Sequence, residues 1–172
     1  MTWPFPSVER VADVLRRSGA DARIEEFAEE TATAADAARA AGCAPEQIVK
    51  TLVFIADDRP VVALVPGNRR ADAGKIARAA AASGVRTATA REVEAATGFP
   101  PGGVAPFPLP GVARILVERT LLAQPVVWVG AGSGRHMAVL APHELVRLAN
   151  AEPMDVVQEP AYDAPSATPG GS

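Results

Sequence analysis

The sequence predicts an α/β protein of the α+β type, with a central mixed, mainly antiparallel, partly barrel-like sheet flanked by helices. Three observations predict it. Runs of β-branched and aromatic residues recur at Lys50–Ile55, Pro60–Val65, Ala113–Glu118, Val126–Val129 and His136–Leu140. Several of these runs are separated by turn-length stretches, which favours hairpins over the long crossovers of a doubly wound parallel sheet. The chain has 172 residues, 48% hydrophobic and 22% charged, which suits one domain with a real core. That domain is expected over residues 1–157. From about Gln158 the composition turns to Pro, Ala, Ser, Thr and Gly, and residues 158–172 read as a disordered tail.

The elements follow in order. Ser7 can cap a helix with Val8, Val11, Val14 and Leu15 on one face, and Gly19 ends it. Arg23–Phe27 reads as a short strand. Thr33 and Asp36 stand three apart, as in a capping box with Asp in place of Glu, and open a helix to Ala41 that Gly42 closes. Pro45 starts a helical turn toward Val49. The strand Lys50–Ile55 turns at Asp57–Arg59 into Pro60–Val65, and Pro66–Asn68 breaks the chain. A helix is expected over Ala73–Ser83 and a strand over Val85–Ala88. Thr89 and Glu92 form a capping box for a helix to Thr97. Gly98–Gly111 is too rich in Pro and Gly for helix or strand. Two strands follow, then a Gly-rich turn at Gly130–Gly134, the strand from His136 and a helix from Pro142 through Leu148.

Composition narrows the function classes. Net charge is −3, so contact with nucleic acid must come from a local patch. The single cysteine, Cys43, excludes a disulfide framework and fits a reducing, cytoplasmic setting. No basic leader with an apolar run opens the chain, and no stretch is apolar enough to span a membrane. His136 and His143 are isolated from other metal-ligand types, so no metal site is expected. Gly130–Gly134 resembles a dinucleotide loop, but strand-like residues follow it where a helix would be needed. No cofactor is expected.

Lys50 stands out. Lys50 and Lys75 are the only lysines among 17 basic residues. Lys50 sits between the apolar turn Ile48–Val49 and an apolar strand, and alternation groups it with Leu52 and Phe54. Such an ammonium can snorkel to water or face a phosphate or an oxyanion at a pocket mouth. The Gly98–Pro106 loop offers a complement, because consecutive glycines bring backbone N–H groups close to an anionic ligand.

With these motifs the chain resembles the YbaK/EbsC group of free-standing aminoacyl-tRNA deacylases, related to the editing insertion of bacterial prolyl-tRNA synthetases. The resemblance is carried by Thr33–Ala38, Gln47–Val53, Thr97–Phe107 and Trp128–Pro142, in the family's order. It implies hydrolysis of a mischarged aminoacyl ester, of a small amino acid on proline tRNA. It places Lys50, Gly102 and Gly103 in catalytic roles, with Gly98 and Pro106 in the same loop. Thr33 falls in the first helix motif, and Thr51, Phe54, Val104 and Gly130 are candidate pocket lining. Arg69, Arg70, Lys75 and Arg78 could contact the acceptor end of aminoacyl-tRNA, or could simply form a solvated helix face. A synthetase would be a further partner. Two departures stand out: Pro108 where close relatives carry Gly, and Glu118 where they often carry Asp. They keep open a silent acyl- or nucleotide-binding module and, from the acidic net charge, a hydrolase of small aminoacyl esters. No His or Cys base is evident beside the motifs; water is expected to be activated with help from the terminal ribose hydroxyl, while Gly102 and Gly103 amides and Lys50 hold the oxyanion or phosphate.

Overall fold

The computed structural model describes residues 2–160. Its helices are α1 (Pro6–Ser18), α2 (Ala34–Ala41), α3 (Ala73–Ala79), α4 (Ala90–Thr97) and α5 (Pro142–Ala149). Its strands are β1 (Ala22–Glu26), β2 (Val49–Ala56), β3 (Arg59–Pro66), β4 (Val85–Thr87), β5 (Arg114–Glu118), β6 (Val127–Ser133), β7 (His136–Leu140) and β8 (Glu152–Met154). The expected mixed, mainly antiparallel sheet structure is present, divided into two sheets. One has the order β1-β7-β6 and the other β4-β2-β3-β5-β8. Among the described strands, β3–β5 and β5–β8 pair in parallel and the other pairs are antiparallel. An isolated bridge from Ile48 to Trp128 links the sheets, and no closed barrel forms among the described residues. Among these residues, too, no helix is long and apolar enough to cross a membrane.

The β2–β3 hairpin is the backbone of the larger sheet. Asp57 and Asp58 adopt φ of 45° and 68°, the left-handed pair that a tight two-residue hairpin loop requires. Ala56 then pairs with Arg59, and the register runs to Val49 and Pro66. Alternation along β3 buries both faces. Val62 and Leu64 join the main core between the sheets, with Val11 and Leu15 of α1 and Phe99 and Phe107 of the long loop. Val61, Ala63 and Val65 join a second core with Ile76 of α3, Val156 and Val157. A third cluster packs α2 on the outer face of the small sheet through Ala37, Ala38, Trp128 and Met137.

Four elements differ from expectation. Helix α1 begins at Pro6, whose ring presets the helical φ, so Ser7 lies inside the helix rather than capping it. Helix α3 stops at Ala79 instead of Ser83. The Asp57 carboxylate accepts the Ser83 and Gly84 N–H groups at 2.8 and 3.0 Å, drawing the chain out of the helix and holding that carboxyl below its usual pKa. Residues Gly130–Ser133 continue β6 through a bulge, and the turn proper is Gly134–Arg135. Strand β8 was not foreseen. The tail expected from Gln158 lies mostly outside the described residues, and Gln158 itself is docked: its N–H donates to the Arg70 carbonyl at 2.8 Å.

Glu118 explains much of the C-terminal architecture. It is 1% exposed at the end of β5. Its carboxylate accepts Thr120 N–H at 2.8 Å and Val156 N–H at 3.2 Å. Beside it, Lys75 bonds both Asp155 oxygens at 2.9 Å and the Val157 carbonyl at 2.8 Å, so the segment after β8 is clamped to α3. Hydrogen bonds to charged acceptors contribute about 1.5–3 kcal/mol each, and a buried amide left unpaired costs about 1–3 kcal/mol. Glu118→Ala should therefore lose about 3 kcal/mol in urea unfolding, and Glu118→Gln less. An unchanged midpoint for Glu118→Ala would show that the carboxylate does not hold this segment.

Candidate active site

A cleft of about 400 Å³ opens along β2, within the range of small-ligand sites. Its cause is an incomplete sheet. Strand β4 pairs with β2 only at Phe54–Ala56, and the last backbone bond on that side is Ala88 N–H to the Val53 carbonyl, 3.1 Å. Beyond it no strand covers the edge of Thr51 among the described residues, apart from the bridge at Ile48. Ile48, Val49, Lys50, Thr51 and Leu52 thus border the cleft with residues of both parities. The start of α2 forms one wall, where the Thr33 hydroxyl accepts Asp36 N–H at 3.1 Å and caps the helix. Gly102 and Val104 of the long loop, with Gly130, Ser133 and Gly134 of the β6–β7 hairpin, also line the cleft.

Lys50 is half-buried in this cleft, and its Nζ donates to the Arg69 carbonyl at 2.5 Å. It has no carboxylate partner among the described residues. Burial, and secondarily the cationic Arg70, push its pKa below the ordinary lysine value. An ammonium so placed gains from any anion brought beside it. Thr51 adds a second unmet demand: its hydroxyl oxygen is buried with no hydrogen-bond partner.

The glycines around the cleft are there for close backbone contact. A Cβ on Gly103 would lie 2.7 Å from Ser133 Cα, and one on Gly130 would lie 2.6 Å from the Val104 carbonyl oxygen. The long loop is therefore stacked directly on the β6 bulge. Gly103 N–H donates to the Pro100 carbonyl at 2.9 Å, so this amide is engaged within the loop. Gly102 is different: it borders the cleft at φ 87° with open space beside its Cα.

His136 also borders the cleft. It is buried, and its Nδ1 lies 2.5 Å from Ser133 Oγ. Burial holds its pKa below the ordinary histidine value, Glu26 opposes that shift, and Arg135 adds to it. Sequence reading set His136 aside as isolated from other metal-ligand types. The hairpin it shares with Ser133, with small residues at Gly130, Ala131 and Gly132 leading to Ser133, was the available signal.

A family model described as an aminoacyl-tRNA editing domain matches residues 28–148. The chain belongs to the aminoacyl-tRNA editing domain family. Among solved structures, a candidate trans-editing enzyme for prolyl tRNA synthetase is 35% identical, with 90% of this chain and 98% of that one covered and a TM-score of 0.83. A hypothetical protein is 32% identical, with 87% and 100% covered and a TM-score of 0.81. A chain from work on epitope backbone grafting onto scaffold proteins by computational design is 33% identical, with 90% and 99% covered and a TM-score of 0.83. No curated protein matches.

Of the residues singled out in the sequence, the editing domain brings Lys50, Thr33, Thr51, Gly102, Val104 and Gly130 to one cleft. The others lie elsewhere. Gly103 supports the loop from behind. Phe54 faces the second core with Ile76. Gly98 ends α4 at φ 72°, and its carbonyl accepts from Arg10. Pro106 borders a separate groove with Phe107, Pro108 and Leu148. Arg69 and Arg70 flank a depression with Asn68 and Gln158, next to the Lys50 contact, although Arg69 donates to the Gln158 carbonyl. Lys75 is committed to Asp155, and Arg78 is exposed on α3. Neither Pro108 nor Glu118 borders the cleft.

The two neighbouring glycines should respond differently to alanine. Gly103→Ala drives a Cβ into fixed backbone and should cost about 1–3 kcal/mol, with distortion of the cleft. Gly102→Ala meets no atom and suffers only left-handed strain of about 1–2 kcal/mol. Unfolding midpoints, with ligand titration of each variant, check the order; a well-tolerated Gly103→Ala would refute the stacking.

Proposed function

We propose that this editing domain hydrolyses the ester of a mischarged aminoacyl-tRNA, releasing a small amino acid, with proline tRNA as the carrier. The observation that carries the proposal is Lys50, an ammonium without a carboxylate partner among the described residues, bordering a cleft that Gly102 also lines. Family membership supports aminoacyl-tRNA as the substrate class. Similarity to a candidate trans-editing enzyme for prolyl tRNA synthetase supports proline tRNA and makes that synthetase a natural partner.

An aminoacyl ester is already reactive, so the protein's task is to position it and to stabilise the tetrahedral oxyanion. Gly102 N–H and the Lys50 ammonium are the donors for the oxyanion or the terminal phosphate. A synthetase pocket separates side chains that differ by a methylene by only about 1–3 kcal/mol, so a second, smaller pocket corrects its errors. Ala34, Ala37, Ile48 and Met137 supply apolar lining for such a sieve, and the Thr51 hydroxyl supplies one polar point. That neither Pro108 nor Glu118 lines the cleft favours a competent site over a silent binding module.

Loss of the ammonium should be severe and local. Lys50→Ala should lower deacylation of alanyl-, cysteinyl- or seryl-tRNA charged on proline tRNA by about 10²–10³-fold with the fold retained. Near-normal turnover of that variant would remove Lys50 from the chemistry. Cleavage of simple aminoacyl esters with tRNA esters untouched would point to a small-ester hydrolase. Measurable binding without cleavage would point to a binding module.

The acceptor end should be gripped through phosphates near Arg70. Binding should weaken steeply with salt, and Arg70→Ala should reduce the slope of log affinity against log salt by about one. An unchanged slope would exclude Arg70 from the phosphate contacts.

A further inference from the structure

Ser133 and His136 lie in the cleft with a geometry that the reading above does not use. The Ser133 hydroxyl has one proton and two lone pairs. Its oxygen lies 2.5 Å from His136 Nδ1 and accepts Arg135 N–H at 3.0 Å. With the proton given to Nδ1 and one lone pair to Arg135, the other lone pair is open on a residue that borders the cleft. The imidazole behind it is 1% exposed. Trp3 packs edge-on against the ring at 5.3 Å between centroids, and Phe5 lies at 5.2 Å. Trp3 is held in turn by its N–H bond to Glu9 Oε2, 2.7 Å.

The charges around the ring are few. Glu26 of β1 faces Nε2 from 3.9 Å, and that buried nitrogen has no hydrogen-bond partner. Arg135 stands on the adjoining turn, Trp3 and Phe5 carry no charge, and Lys50 is the cation on the cleft wall. Donation from Ser133 selects the tautomer with its proton on Nε2, toward Glu26. Such a ring is neutral at neutral pH and can take a second proton on Nδ1, with Glu26 placed to favour the resulting cation.

We propose that Ser133 and His136 form a proton relay for the water that attacks the aminoacyl ester; this rests on the deacylase reading above. The water donates a hydrogen bond to the open lone pair of Ser133 Oγ. As its oxygen bonds to the ester carbonyl carbon, its proton passes to Ser133 Oγ and the Ser133 proton passes to His136 Nδ1. The tetrahedral oxyanion then re-forms its carbonyl and breaks the bond to the ribose oxygen. The proton returns from His136 through Ser133 to that oxygen. One water is consumed, and the free amino acid and a tRNA with its ribose hydroxyl restored are formed.

The test is the pH dependence of single-turnover deacylation between pH 5 and 8, with the same charged proline tRNA. The base works only when neutral and its pKa lies below the ordinary 6.5, so the wild-type rate should be flat above that value and fall as pH drops through the His136 pKa. Ser133→Ala should lower the plateau about a hundredfold and remove the acid limb. Ser133→Thr, which restores a hydroxyl, should keep the limb, and His136→Gln should lose it. Unfolding midpoints establish that each variant is folded. A solvent deuterium isotope effect on the wild-type plateau tests the proton transfer with no substitution. Wild-type rate and an unchanged limb in Ser133→Ala would overturn the relay alone, as would an aminoacyl adduct on Ser133 in quenched reactions, which would make it a nucleophile. A wild-type protein that cleaves no aminoacyl-tRNA at any pH would overturn the deacylase reading and the relay with it.

Discussion

Direct contact between two stretches of backbone organises this molecule. The long loop rests on the β6 bulge with Gly103 against Ser133 and Val104 against Gly130, and no side chain stands between them. The same bulge meets the start of α1 through Gly132, where a Cβ would lie 2.6 Å from the Ser7 carbonyl carbon. Three separate parts of the chain are thus locked at distances that only glycine permits. Interiors packed at such density transmit displacement instead of absorbing it. The positions of Gly102, Ser133 and His136 relative to one another are consequences of this contact.

The second requirement is a strand that is only half covered. Strand β2 is paired with β3 along its whole length, so Lys50 is carried on a fully paired hairpin. On its other side β4 stops at Phe54, and the edge before it opens into the cleft. A rigid strand with one uncovered edge supplies both precision and access. Functional groups placed on such elements are held more accurately than groups on loops. The long loop gains comparable rigidity from its prolines and from the buried rings of Phe99 and Phe107.

Much of this was legible in the sequence because local chemistry and global fold agree. Thr33 and Thr89 cap the helices they were expected to cap, and the Asp57–Asp58 turn closes the expected hairpin. Lys50 and Gly102, which share the cleft, were singled out through an ammonium in an apolar run and a glycine pair between prolines. The misses have long-range causes. Alanine-rich sequence predicts four more residues of α3, but a carboxylate 26 residues earlier captures Ser83 N–H. Phe54 shares the parity of Lys50, yet the sheet is buried on both faces, so parity alone could not separate cleft from core. His136 looked solitary because Ser133, Glu26 and Trp3 reach it from a bulge, a neighbouring strand and the N-terminal segment.

The half-covered β2 also bears on how copies of the protein meet in a crowded solution. A strand with free amides and carbonyls is a template onto which a foreign strand can add, and unprotected edges of this kind seed aggregates. Here the exposed stretch is short, recessed behind the first turn of α2, and marked by a charged lysine. A second chain extending the sheet would have to set its own side chains beside that half-buried ammonium, on the same face of the sheet. The residue that invites an anion therefore also repels a stray strand, and the opening stays available to a narrow, flexible end while remaining closed to a flat, continuous one.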